Sequence, residues 1–346
     1  MDQIINNIFV AFEKPIEILH ENIFEKEQIF CSLGFSIYPK DAVIADQLLI
    51  KADTAMFYTK KQFENNYEHR YEHYNREITE NIQYKVQLRK NIQTAISRDE
   101  FYLCYQPLVD IKTGLIASTE ALLRWVHPVT GVSVPPSEII KVAEDYNLII
   151  PLGEWVLRKA CTQNYLWYKL GFKNIVSVNL SAKQLERGNI VKTVSQILKE
   201  THLPPELLEL ELTENEAFKE NTISIINELR YLGVSLSIDD YGQGFSNLSN
   251  LKKFRFDKIK IDIEFIRNLP EDINSQIIVT SSIKMSKALG IKVVAEGVEK
   301  QEQYDFLEKH GCDLIQGFLL YKPIIAEELT QALIKQQHYQ KIDKKT

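Results

Sequence analysis

Glu120, Asn179, Glu211, the neighbours Asp239 and Asp240, Lys260, Glu296 and Gln316 each stand at or near the end of a short apolar run. A lone carboxylate in such a place is ordinarily a solvated turn residue or the N-cap of the next helix. The set is another matter. Gathering Glu120, Glu211, Asp239, Asp240, Glu296 and Glu299 into one cleft creates repulsion that only protons or cations relieve. A bound divalent cation is the simplest remedy. Ligands that are all oxygen, with no histidine or cysteine among them, favour Mg²⁺ or Mn²⁺ over zinc or copper. Adjacent Asp239 and Asp240 can bridge one ion and hold a second, and paired cations about 3.5–4 Å apart are the standard arrangement for in-line attack on phosphorus. Lys260 adds a point charge able to hold the nucleophilic water or to neutralise phosphoryl oxygens; its ordinary alternative is a solvated strand-end lysine. Phosphodiester hydrolysis is the reaction class these residue types indicate.

Residues so far apart in sequence converge where several strands end together, as at the C-terminal face of a barrel. The chain supplies the strands: FYLCYQPLVD, LIASTEALLRW, IVSVNLS, LLELELTE, VSLSIDD, FDKIKID, IKVVAE and CDLIQGF are β-rich runs. Helix-length amphipathic stretches lie among them, at 137–147, 153–170, 183–200, 221–231, 274–289 and 302–309. The first two runs follow one another with no helix between. That predicts an α/β fold of the modified (β/α)8 TIM-barrel type with one antiparallel strand. From Arg76 to Arg98, Ile78, Ile82, Val86, Leu88, Ile92 and Ile96 form one apolar stripe. The expected organisation is therefore a small segment over 1–76, a connecting helix over 77–98 and a barrel over 99–340.

Composition narrows the setting. With 45% hydrophobic and 25% charged residues in 346, the chain is ordinary globular material. Its longest apolar runs, such as 147–152, are too short to cross a bilayer, and no basic leader opens it, which predicts a cytoplasmic protein. Cys31, Cys104, Cys161 and Cys312 lie far apart and read as reduced packing residues. The balance of 41 basic against 47 acidic residues, net −6, offers no footprint for duplex nucleic acid. An anionic ligand must be received by cations or local arginines.

The motifs carry a resemblance. EALLRW at 120–125 is similar to the signature of the EAL-domain cyclic di-GMP phosphodiesterases, and YQP, VNLS, ELTE, DDYGQGFSNL, KIKID, AEGVE and QGFLLYKP follow in that family's order over about 81–337. The resemblance implies hydrolysis of cyclic di-GMP to linear pGpG and a homodimer formed through the barrel. It implies that Glu120, Asn179, Glu211 and Asp239 hold one metal while Asp239, Asp240 and Glu296 serve a second. Lys260 then positions the water, Gln316 supports the metal and water shell, and Asp262 and Glu299 contact substrate. Gln106 and Arg124 grip sugar and phosphate; Arg124, four residues beyond Glu120, shares its face of the strand. Glu214 steadies the loop after Asp240. There the chain departs from the family's D-D-F-G-T-G-Y-S-S: Tyr241 and Phe245 exchange aromatics, while Gln243 and Asn247 replace threonine and serine. After KID, Ile263-Glu264 replaces the usual Arg-Ser and adds a negative charge near an anionic ligand.

CSLGFSIYPKDA and residues 48–70 resemble the C-terminal part of a GGDEF domain, without its GTP-binding signature loop. No diguanylate cyclase activity is expected, since nothing remains to cradle a triphosphate. Half an α/β domain should also leave a core face open to the barrel or to a partner. The altered loop and this remnant keep a second reading alive, a cyclic di-GMP receptor or scaffold that acts through protein contacts.

Overall fold

The computed structural model describes residues 2–20, 23–62, 68–187, 189–219, 222–243 and 256–343. Phe245 and Asn247 lie outside them. The chain divides into two compact units, Met1–Lys90 and Asn91–Thr346, and the division falls within the helix Arg76–Arg98.

In the N-terminal unit a helix, Asp2–Phe12, precedes an antiparallel pair, β1 (Ile16–His20) and β2 (Ile23–Glu27). A parallel pair follows, β3 (Ser32–Phe35) and β4 (Arg70–His73), joined through the helix Ala45–Gln62. Gly34 permits that packing: a Cβ there would sit 2.1 Å from the Met56 nitrogen and 2.2 Å from the Ala52 oxygen. The unit leaves apolar side chains open, among them Leu49 at 70% and Ile50 at 65% exposure.

The second unit is a closed barrel of eight strands. These are β5 (Tyr102–Asp110), β6 (Ile116–Arg124), β7 (Ile175–Asn179), β8 (Leu208–Thr213), β9 (Ser235–Tyr241), β10 (Lys258–Ile261), β11 (Lys292–Ala295) and β12 (Leu314–Ile315), closed by pairing of β9 with β10 and of β12 with β5. β5 runs antiparallel to both neighbours, β6 and β12, while the other pairs are parallel. This is the expected modified barrel. A parallel strand needs a crossover to reach its partner, but β5 and β6 are linked by a tight turn, which only antiparallel pairing allows.

Helix boundaries differ from the sequence expectation in two places. One helix begins at Ile149, four residues early, because Pro151 falls in its first turn, where a missing N–H costs nothing. The stretch 183–200 is two helices, Ala182–Arg187 and Ile190–Thr201, rather than one.

Strand alternation sorts the barrel residues. Leu208, Leu210 and Leu212, like Ile259 and Ile261, are buried towards the outer helices, and the residues between them point inward. Leu108, Val294 and Leu314 form an apolar cluster inside. Ser118, Ser177, Glu209 and Lys258 meet in a polar layer lower down. One alternation further along the same strands lie Glu120, Asn179, Glu211 and Lys260.

Candidate active site

Lys260 is the hub of the upper layer. It is 1% exposed, and its Nζ lies 2.6 Å from Glu296 Oε1, 2.9 Å from Glu211 Oε2, 3.1 Å from Asp239 Oδ1 and 3.2 Å from Glu120 Oε2. A solvated strand-end lysine is excluded by that burial. Each carboxylate comes from a different strand or strand end: β6, β8, β9 and the loop after β11. Glu120 does not terminate its strand as expected. It lies inside β6, which runs on to Arg124 because antiparallel β5 extends it past the parallel strands.

Side-chain amides orient the cluster. Asn179 Nδ2 donates to Glu120 Oε1 at 2.7 Å, and Gln316 Nε2 donates to Glu120 Oε2 at 2.7 Å. Gln316 Nε2 also reaches Gln106 Oε1 at 3.2 Å, while Gln106 Nε2 donates to the Tyr321 carbonyl.

Asp239 and Asp240 should point to opposite faces of β9, since consecutive strand residues alternate. A bulge prevents this. Ile238 pairs with Ile259 and Tyr241 with Ile261, so β9 carries one residue more than β10 between those pairs, and Asp240 adopts φ +53°. The extra residue lets both aspartates join Glu296, with one carboxylate oxygen of each of the three within 4.8 Å of the others.

One ammonium cannot balance this many carboxylates. Two like charges 4 Å apart cost about 4 kcal/mol even at an effective dielectric of 20, so the excess is held as protons or exchanged for cations. Burial, opposed by Lys260 and reinforced by Asp239 and Glu120, pushes the Glu296 carboxyl up to about 8. Burial, with Asp239 and a hydrogen bond to Asp262, raises Asp240 to about 6. Burial also drives Glu211 well above the usual carboxylate range, with Lys260 opposing and Glu120, Asp239 and Glu209 adding to it. Glu120 differs: burial raises it, but Lys260, Gln316 and Asn179 outweigh that and leave it below the ordinary value. Burial lowers Lys260, yet Glu120, Glu211, Glu296 and Asp239 together hold it well above its ordinary value.

The remaining predicted residues surround this centre. Glu214, 3% exposed, accepts the Gly242 N–H at 2.9 Å and so ties the segment after Asp240 to the end of β8. Asp262 caps the helix Ile263–Arg267 by accepting the Glu264 N–H at 2.6 Å. Arg124 sits at the rim, donating to the Leu123 carbonyl and lining a 290 Å³ cavity together with Asn179, Ser181 and Thr213. Glu299 is exposed, and its described contact is a backbone one, its N–H donating to Gln303 Oε1. It is not drawn into the cluster.

Two features escaped the sequence reading. The ion pair Lys258–Glu209, with Lys258 Nζ 2.9 Å from Glu209 Oε2, lies one alternation below the hub; the K-x-K and E-x-E spacing of β10 and β8 would have revealed it. Gln243, noted only as a departure from the family pattern, donates to Asp262 Oδ2 at 2.8 Å. A cavity of 680 Å³ opens at the opposite mouth, lined by Glu209, Arg230, Asp257, Lys258 and Lys292. Its acidic groups already face cations, Glu209 with Lys258 and Asp257 with Arg230, so it lacks the charge imbalance of the upper layer.

The upper layer fits a hard divalent cation. Among the described residues Glu211 Oε1 and Gln316 Oε1 are buried without a hydrogen-bond partner, and every carboxylate and amide atom that could ligate an ion is oxygen. Comparison with known proteins bears directly on this geometry, because the EAL domain model matches residues 89–323 and takes in every element that contributes to it. The chain belongs to the EAL domain family. It is 38% identical over 305 residues, 87% of this chain and 44% of the relative, to the bifunctional diguanylate cyclase/cyclic di-GMP phosphodiesterase MucR of Pseudomonas aeruginosa. It is 34% identical over 298 residues, 86% of this chain and 44% of the relative, to the cyclic di-GMP phosphodiesterase PdeR of Escherichia coli. The solved structure of PaMucR phosphodiesterase in complex with c-di-GMP superposes with a TM-score of 0.68 and 39% identity, over 70% of this chain and 99% of that one. This EAL chain thus spans less than half the length of those two curated relatives. Among its described residues no helix is long and apolar enough to cross a membrane.

Proposed function

We propose that this chain is a cytoplasmic phosphodiesterase that hydrolyses cyclic di-GMP to linear pGpG with two Mg²⁺ or Mn²⁺ ions. The observation that carries the reading is Lys260, 1% exposed and contacted by four carboxylates in a barrel mouth whose Asp239, Asp240 and Glu296 also converge. Glu120, Asn179, Glu211 and Asp239 would hold one cation, and Asp239, Asp240 and Glu296 the second. Bound there, such cations supply Lewis acidity and make a water nucleophilic at neutral pH.

The chain's own groups do the rest. The Lys260 ammonium orients the attacking water and offsets charge gathering on the phosphoryl oxygens. The water oxygen bonds to phosphorus, the P–O3′ bond breaks, and the proton passes to the leaving 3′ oxygen, which gives the 5′-phosphate of pGpG. Arg124 offers its guanidinium to phosphate at the rim, and Gln106 meets the sugar. Asp262 and Glu299 contact the substrate, Gln316 braces the metal and water shell through Glu120, and Glu214 holds the loop after Asp240. The N-terminal segment is a GGDEF remnant without cyclase activity, and the barrel pairs with a second copy.

The test is turnover by the full chain with cyclic di-GMP and Mn²⁺. Formation of pGpG is expected. No pGpG at high enzyme concentration overturns the reading, and calorimetric binding of cyclic di-GMP without turnover would make the chain a receptor instead.

A further inference from the structure

The polypeptide leaving β9 is pinned residue by residue. The Tyr241 side chain is 6% exposed and its hydroxyl faces Met285 Sδ at 3.8 Å. The Gly242 N–H is held by Glu214, and its φ of +109° suits glycine alone. A Cβ at Gly242 would also lie 2.7 Å from Phe265 in the helix that Asp262 caps. Gln243 closes the arrangement with the 2.8 Å hydrogen bond from Nε2 to Asp262 Oδ2. Asp262 is 5% exposed, its Oδ1 is taken by the Glu264 N–H, and it follows Ile261, the strand partner of Tyr241, so that it stands next to Asp240.

A carboxyl gripped at one oxygen by a backbone N–H can still rotate its second oxygen. The amide of Gln243 removes that freedom, because it donates to the second oxygen, Oδ2, while the helix cap holds Oδ1. We infer that Gln243 is a positioning residue: it fixes Asp262, and through Asp262 it sets the place of Asp240 in the Asp239–Asp240–Glu296 cluster. Threonine at position 243 is too short to span the same gap, so this brace belongs to chains with a long amide there. Gln243 itself is exposed, so truncating it opens no cavity in the core.

The inference rests on the reading of that cluster as a metal site. Its test is Mn²⁺ titration of the full chain by calorimetry, beside cyclic di-GMP turnover at limiting and saturating Mn²⁺. Gln243→Ala should bind Mn²⁺ about tenfold more weakly, the effect usual for losing a partner of a ligand's neighbour. Its kcat should recover to within about twofold of the parent at saturating Mn²⁺, with an unchanged melting temperature. Gln243→Glu, which sets a carboxylate against Asp262, should lose about a hundredfold. In an Asp262→Asn background Gln243→Ala should cost little more, since the two act through one contact. Parent-like Mn²⁺ binding by Gln243→Ala, or losses that simply multiply in the double variant, would overturn the inference while leaving the phosphodiesterase reading intact. A parent protein that neither binds Mn²⁺ nor makes pGpG overturns both.

Discussion

Two polar layers stacked inside one barrel, built from the same strands two residues apart, have opposite electrostatic character. In the lower layer Lys258 Nζ straddles Glu209, at 3.1 Å from Oε1 and 2.9 Å from Oε2; Ser177 donates to Oε1 and Ser118 accepts from Lys258. One cation meets one anion and the layer is neutral. In the upper layer Lys260 meets Glu120, Glu211, Asp239 and Glu296, and Asp240 adds a further carboxyl. Burial is similar, with Lys258 at 5% and Lys260 at 1% exposure, so burial cannot be what separates a structural layer from a chemical one. The ratio of charges does. A balanced buried pair is at best neutral for stability and has no capacity for an added ion. An unbalanced one holds protons when empty and is built to exchange them for cations.

The comparison is broken most severely by attacking the upper layer. Glu120→Ala removes the acceptor of Asn179, Gln316 and Lys260 at once. Turnover should fall by about three orders of magnitude or more, equivalent to the several kcal/mol that a Lewis-acid cation contributes. Metal binding should weaken in parallel; steady-state kinetics and calorimetry on the same preparation read both. The lower layer should respond the other way round. Lys258→Met strands Glu209 as a buried unpaired charge and should destabilise the barrel by about 3 kcal/mol in denaturant unfolding, while Lys258→Met with Glu209→Leu should recover most of the loss. If Lys258→Met abolished Mn²⁺ binding yet unfolded normally, the division into structural and chemical layers would fail.

Much of this was legible in the chain. The eight strands, the presence of one antiparallel strand and the residues of the upper layer follow from apolar runs and the polar residues that close them. What was hidden had physical causes. The two layers arise from strict inward and outward alternation, as in Leu208-Glu209-Leu210-Glu211, whereas parallel strands buried on both faces usually read as continuous apolar runs. That alternation is itself the signal of a polar barrel interior. The bulge at Asp239 and Asp240 is set by a difference in length between paired strands, which neither strand shows alone. The hydrogen bond from Gln243 to Asp262 joins a loop to a helix cap, and no spacing rule connects such a pair.

The smallest effect, and the sharpest test of the charge imbalance, is the response of the metal-free protein to pH. Glu296 is raised to about 8 and Asp240 to about 6, so between the ordinary carboxylate range and those values the folded chain binds more protons than the unfolded one. Stability from these groups is therefore fully present below about pH 4.5 and is lost as pH rises through 6 and then 8. Glu120, which is lowered, acts only at more acid pH, and Lys260, which is raised, holds its proton throughout, so neither opposes the trend in this window. The melting temperature of the metal-free chain should fall by a few degrees, about 1–2 kcal/mol, between pH 5.5 and pH 8.5. Glu296→Gln should flatten that slope in its upper half, and Mn²⁺ should reverse it, because ion binding requires the ionised carboxylates that high pH supplies. A melting temperature that rises over the same window without metal would mean that Lys260 already balances its ring of carboxylates, and the two layers would then differ in residue count alone.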